Sequence, residues 1–132
     1  MFYLIKIENS RMNVPEPVYL EVKEDEAVEY GEALVLTDGK LTKCGATTAP
    51  THIAMGVLAA DAEKRTIAAA RVEKNQLYEV PVTAAPTALK VGDKVTLHTD
   101  GLQVTATTAS GVVTVESLNG ATAAGDKIVV RI

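Results

Sequence analysis

A chain of 132 residues with a single cysteine, Cys44, is long enough to bury a core without disulfides or structural metals, and one compact unit is the default. Its formal charge of −4, with Lys and Arg scattered along the sequence, offers no basic stripe to neutralise successive phosphates, which argues against nucleic acid as a partner. With one Phe, four Tyr and no Trp, the 47% hydrophobic content rests on Val, Leu, Ile and Ala, small side chains that suit thin, closely packed sheets.

The opening run Met1-Phe2-Tyr3-Leu4-Ile5-Lys6-Ile7-Glu8 predicts a strand over residues 2–7. It is too short for the apolar region of a secretion signal and has no small-residue cleavage site, and the sequence holds no transmembrane segment. Synthesis in a cytosol, with no membrane partner, is the expectation. Asn9, Ser10, Asn13, Pro15 and Pro17 then break the pattern. Pro15 and Pro17, either side of Glu16, predict an extended arm or an edge strand and forbid a central strand position. Val18, Leu20 and Val22 alternate with Tyr19 and Glu21, the period of a strand with one wet face. The chain is accordingly divided into an N-terminal strand and Pro-containing arm, 1–22, and a single β-domain, 23–132.

After Glu24-Asp25-Glu26, a solvated loop, comes a phrase that the sequence nearly repeats. Gly31-Glu32-Ala33-Leu34-Val35-Leu36 precedes Asp38-Gly39, and Gly92-Asp93-Lys94-Val95-Thr96-Leu97 precedes Asp100-Gly101. A shorter echo, Gly125-Asp126-Lys127-Ile128-Val129-Val130, lies near the end. A glycine that accepts positive φ, an acid that accepts local N–H bonds, and an alternating run describe a turn releasing the chain into a strand. Asp-Gly is a strong hairpin signal, so hairpins are predicted at Asp38-Gly39 and Asp100-Gly101, the second pairing Val95 and Leu97 with Leu102 and Val104. The match spans about ten positions, too short to establish duplicated domains.

Between these phrases, 45–51 is a connector and Ile53-Ala54-Met55-Gly56-Val57-Leu58 reads as a buried strand. Gly56 inside it points to a barrel corner or a subunit contact. Residues 61–74 read as part of a hairpin with a charged turn at Glu63-Lys64-Arg65, the alternative being a short Ala-rich helix. Tyr78, Val80 and Val82 mark a strand that Pro81 places at an edge or ends. A second connector, 83–88, leads into the second phrase, and Val112 to Leu118, a turn at Asn119-Gly120 and Ile128 to Ile132 complete the chain. The fold class is mainly β: a small antiparallel β-sandwich or barrel built of hairpins, with an extended N-terminal strand or arm.

Chemistry is sparsely marked. His52 and His98 have no second ligand at a metal spacing, and no glycine cluster forms a phosphate loop, so no metal or cofactor is expected. Cys44 with His52 is the one conceivable nucleophile and base, but a lone Cys at a strand end is more simply an apolar filler. The carboxylate pairs Glu32/Asp93 and Asp38/Asp100 are better explained as turn residues than as acid and base.

The entry at 31–36, the strand Met55-Gly56-Val57-Leu58-Ala59, the entry Val91-Gly92-Asp93-Lys94-Val95, the Ala/Thr-rich linkers and the terminal strand Ala124 to Val130 carry a resemblance over Tyr19 to Ile132. In this pattern the chain resembles the capsid decoration, or cement, proteins and head-fibre base domains of tailed bacteriophages. The resemblance implies a mostly β, non-catalytic virion protein, often trimeric, that reinforces the shell by binding the major capsid protein. It also implies that residues 1–22 face the capsid or donate a strand, with Phe2, Tyr3, Leu4, Ile5, Pro15 and Pro17 as candidate contacts. The alternatives are a small barrel that binds a ligand or carbohydrate through a patch of Tyr19, Tyr30 and Tyr78, and, further off, a hydrolase using Cys44 and a histidine.

Overall fold

The computed structural model describes every residue except 12 and 13, so Asn13, one of the predicted strand breakers, lies outside the described residues. Ten strands follow one another: β1 (Tyr3–Ile7), β2 (Pro17–Glu21), β3 (Ala33–Thr37), β4 (Lys40–Lys43), β5 (His52–Ala54), β6 (Thr66–Arg71), β7 (Gln76–Pro81), β8 (Lys94–Val95), β9 (Val113–Ser117) and β10 (Lys127–Arg131). They form two five-stranded antiparallel sheets, β1-β7-β10-β9-β8 and β2-β6-β5-β3-β4, packed as a β-sandwich and not closed into a barrel. Residues 61–74 contain no helix; β6 returns antiparallel to β5 across a long connection.

The repeated Gly-acid phrase is one turn used three times. In Glu29-Tyr30-Gly31-Glu32, Lys90-Val91-Gly92-Asp93 and Ala123-Ala124-Gly125-Asp126, the glycine takes φ of 76°, 92° and 87°, the third position of a type II turn. The acid's N–H donates to the carbonyl of the first residue at 3.2, 3.1 and 3.3 Å. Its carboxylate accepts that residue's N–H at 2.8 Å in all three. The next residue opens a strand each time, β3, β8 and β10.

The two Asp-Gly pairs diverge. Asp38 (φ 51°) and Gly39 (φ 79°) form the type I′ tip of the β3–β4 hairpin. Asp100 keeps negative φ and its carboxylate accepts the Leu102 N–H and a Gln103 side-chain N–H, both at 2.8 Å. Gly101 is buried against the other sheet: its carbonyl accepts the Ala33 N–H at 2.8 Å, and a Cβ there would lie 2.9 Å from the Glu32 Cγ. Gly101 also closes the predicted hairpin, with φ 68° and its N–H donating to the His98 carbonyl at 3.0 Å while the His98 N–H donates to Gln103 at 2.9 Å, so both the turn and the close approach call for glycine. Leu97 does face Val104, but Val95 pairs with Val113 of β9 instead of Leu102.

Sheet two is apolar on both faces. Ala33 and Ile53 look inward to the main core, which joins Phe2, Tyr78, Val80, Val115, Ile128 and Val130 from sheet one. Leu34, Ala54, Ile67 and Ala69 look the other way, into a second core with Val22, Val28, Leu41 and Leu58. The cover over this outer face is the pair of segments 22–30 and 55–65, joined by reciprocal Val28 and Leu58 main-chain bonds of 2.8 Å. Arg65 pins it, donating to the carbonyls of Ala59, Ala60, Lys23 and Glu26. The predicted buried strand 53–58 is therefore shortened to β5, because the chain bends at Met55 to begin the cover; Val57 is exposed. A Cβ on Gly56 would meet only the Ile67 Cβ at 4.0 Å, so no barrel corner or tight backbone approach explains that glycine.

Candidate functional site

Main-chain bonds join the two sheets on both sides of the sandwich. On the β4/β8 side, main-chain bonds cross between the sheets: Leu97 N–H to Ala46 at 2.9 Å and Ala33 N–H to Gly101 at 2.8 Å. On the other side, β1 edges one sheet and β2 the other, and the Phe2 N–H donates to the Gly31 carbonyl at 2.8 Å. Segment 1–22 thus contributes to both sheets. Just after β1, Glu8 is held by Arg131 Nη1 at 2.9 Å, while Arg131 Nε holds Glu116 at 2.8 Å.

A cleft of about 190 Å³ is lined by Phe2, Tyr3 and Leu4 at the start of the chain, by Val14 and Pro15 before β2, and by Tyr30, Met55 and Tyr78. Its floor includes Ile53, Ala54 and Ala70. Tyr19 pairs with Ala68 and Pro17 with Ala70, and directly opposed residues share a face, so Tyr19 stands on the same face of β2 and β6 as the floor. Of the lining residues Tyr3, Val14 and Tyr30 are exposed, and Ile5 on β1 and Tyr19 on β2, the latter at 71%, are exposed apolar side chains outside the lining. Tyr30 reaches the cleft because it occupies the second position of the first type II turn.

The candidate contacts separate in this setting. Tyr3 and Ile5 are exposed, Leu4 and Pro15 are half-buried, and Pro17 is exposed at the start of the edge strand. Phe2 is a correction: at 2% exposure it sits in the main core, edge-to-face with Tyr78 at a 6.2 Å centroid distance, and cannot touch a partner. The proposed Tyr19, Tyr30 and Tyr78 patch loses its third member for the same reason. Tyr78 is buried, with its hydroxyl donating to Gln76 Oε1 at 2.6 Å.

Cys44 and His52 are engaged separately. The Cys44 thiol donates to the Thr48 carbonyl at 2.9 Å, and burial pushes its pKa up to about 11, the reverse of what a nucleophilic thiolate needs. His52 Nδ1 meets the Thr51 hydroxyl at 2.9 Å, while burial and then Arg71 lower its pKa. His98 Nδ1 lies 3.1 Å from Asp100 on the hairpin beyond β8. Partial burial raises the Asp100 pKa, but the bonds from Gln103, Leu102 and His98 outweigh it and the net shift is downward. Among the described residues no group of three or more His, Cys, Asp or Glu side chains is placed to share a metal ion, and no helix is long and apolar enough to cross a membrane.

The chain matches no protein-family model and no curated protein. The site is therefore described by its own residues. Met55 and Val14 escaped the sequence reading because one sits in an apolar run taken as wholly buried and the other in a proline-broken segment; no local periodicity marks either as a rim residue.

Glu32 is the buried charge next to this region. Its side chain is 1% exposed, accepts the Glu29 N–H at 2.8 Å and has Lys43 Nζ at 3.5 Å. Burial raises its pKa, against the lowering effect of the Glu29 N–H and Lys43. A carboxyl with a folded pKa above its unfolded one binds its proton more tightly when folded. Its contribution to stability is thus greatest below the unfolded value and declines as pH rises through the folded one. Glu32→Gln keeps an acceptor for the Glu29 N–H without the charge. Its denaturation midpoint in urea, relative to the parent, should rise from mildly acidic to neutral pH, and a constant difference across that range would refute the assignment.

Proposed function

We propose that this chain is a non-catalytic structural protein that binds the outer surface of a phage capsid and reinforces it, docking through the β1/β2 edge, in a homo-oligomer for which a trimer is the favoured form. The observation that carries this reading is the set of exposed aromatic and aliphatic side chains contributed by the N-terminal segment and the turn beside it, Tyr3, Ile5, Val14, Tyr19 and Tyr30, three of which line the cleft. Aromatic anchors surrounding an apolar depression are the composition of a protein-binding surface. The resemblance to decoration proteins supplies the partner, the major capsid protein, and a symmetric assembly multiplies modest contacts per subunit into avidity.

Deleting residues 1–17 would not test this cleanly, since it removes β1 and the core residue Phe2. The triple variant Tyr3→Ala/Tyr19→Ala/Tyr30→Ala leaves the core intact. In co-sedimentation with shells assembled from the major capsid protein of a phage genome that encodes this chain, it should lose about 2 kcal/mol or more of binding. Binding equal to that of the parent would exclude this edge, and a parent protein that does not sediment with shells would overturn the capsid reading.

A further inference from the structure

We propose that Asn119-Gly120 is a built-in site of spontaneous deamidation, converting this turn to Asp and isoAsp while the other described asparagines, Asn9 and Asn75, are spared. The pair forms a type I′ turn, φ 51° and 73°, closed by the Ala121 N–H to the Leu118 carbonyl at 2.8 Å. Both residues are exposed, and a Cβ on Gly120 would find nothing within 4 Å. The attacking atom is the Gly120 backbone nitrogen, whose N–H makes no hydrogen bond among the described residues.

The electrophile is prepared as well. The Ser117 hydroxyl donates to Asn119 Oδ1 at 3.0 Å while its oxygen accepts the Asn119 N–H at 3.2 Å, so the side-chain carbonyl is polarised and held. Solvent base removes the Gly120 amide proton, the nitrogen bonds to Asn119 Cγ, and the Cγ–Nδ2 bond breaks as ammonia leaves with a proton. Water then opens the cyclic imide at either carbonyl. The net change is Asn plus water to Asp or isoAsp plus ammonia.

The other described asparagines lack this arrangement. After Asn9, the Ser10 N–H is committed to the Ile7 carbonyl at 3.3 Å; after Asn75, the Gln76 N–H is committed to Glu73 at 3.0 Å, and Asn75 Nδ2 itself donates to Glu8. In both, the following residue carries a side chain that hinders attack.

The full-length protein, incubated folded at mildly alkaline pH and digested for peptide mass mapping, should gain the amide-to-acid mass shift at Asn119, with isoAsp confirmed by isoaspartyl methyltransferase labelling. The rate there should exceed that at Asn9 and Asn75 by at least about tenfold, a barrier difference of about 1.4 kcal/mol. Asn119→Gln should abolish the fast component and Ser117→Ala should slow it. Equal rates at the three asparagines, or an unmodified Asn119, would overturn the proposal; an unchanged rate in Ser117→Ala would remove the hydroxyl's part in it.

Discussion

Phe2→Ala should destabilise the protein by about 3–5 kcal/mol, a large fraction of the 5–15 kcal/mol typical of a domain, although the residue is second in the chain. Its ring is in the main core against Tyr78, and its N–H donates to the Gly31 carbonyl at 2.8 Å, tying the start of β1 to the first type II turn. Truncation leaves a cavity that β1 can close only by giving up its register with β7. Tyr3→Ala, one residue on and exposed, should cost less than about 1 kcal/mol. Urea unfolding of the two variants checks the contrast. Similar midpoints would mean that β1 does not hold Phe2 in the core. Because Phe2 and Tyr78 also line the cleft, Phe2→Ala should weaken partner binding through disorder of the rim, whereas Tyr3→Ala weakens it directly.

That contrast marks where sequence stops informing. The run from Phe2 to Ile7 is apolar at five of its six positions, Lys6 being the exception, and a bulge between Leu4 and Lys6 breaks its period, so alternation could not say which ring points inward. The Gly-acid turns were legible because the two bonds that close each of them fall within four residues and depend on a glycine and an acidic acceptor, although each glycine N–H goes to a distant carbonyl. Sandwich or barrel was not, since closure depends on β1 and β2 ending at sheet edges, a property of the whole topology. The cleft was equally hidden: its walls come from residues 2–4, 14–15, 30, 53–55, 70 and 78, which no local pattern connects. At Asp100-Gly101 the local signal located the turn, and Leu97 faces Val104 across it, but it could not show that Val95 pairs with β9 or that the other sheet packs against the glycine.

Arg65→Ala should lower stability by about 2–4 kcal/mol, and the loss should be confined to one side of the molecule. The sequence offers only a charged turn here, Glu63-Lys64-Arg65, in which any of the three would pass for a solvated residue. The guanidinium instead bonds four carbonyls, Nη1 to Ala59 and Ala60 at 2.8 Å each and Nη2 to Lys23 at 2.7 Å and Glu26, so that one side chain fastens both segments of the cover. Hydrogen bonds from a charged donor contribute about 1.5–3 kcal/mol each, reduced here because the freed carbonyls lie near water. What the bonds protect is larger than themselves: if the cover lifts, Val22, Val28, Leu34, Leu58, Ile67 and Ala69 lose their apolar enclosure. Arg65→Lys should recover less than half of the loss, because a single ammonium cannot hold four carbonyls spread over two segments in the planar fork that arginine provides. Native-state amide exchange reads the locality. Val28 and Leu58, whose amides bond each other's carbonyls, should lose protection in Arg65→Ala while Val80 and Ile128 in the main core keep theirs. Uniform loss across both cores would mean that the second core is not a separate cooperative unit but is welded to the first through sheet two.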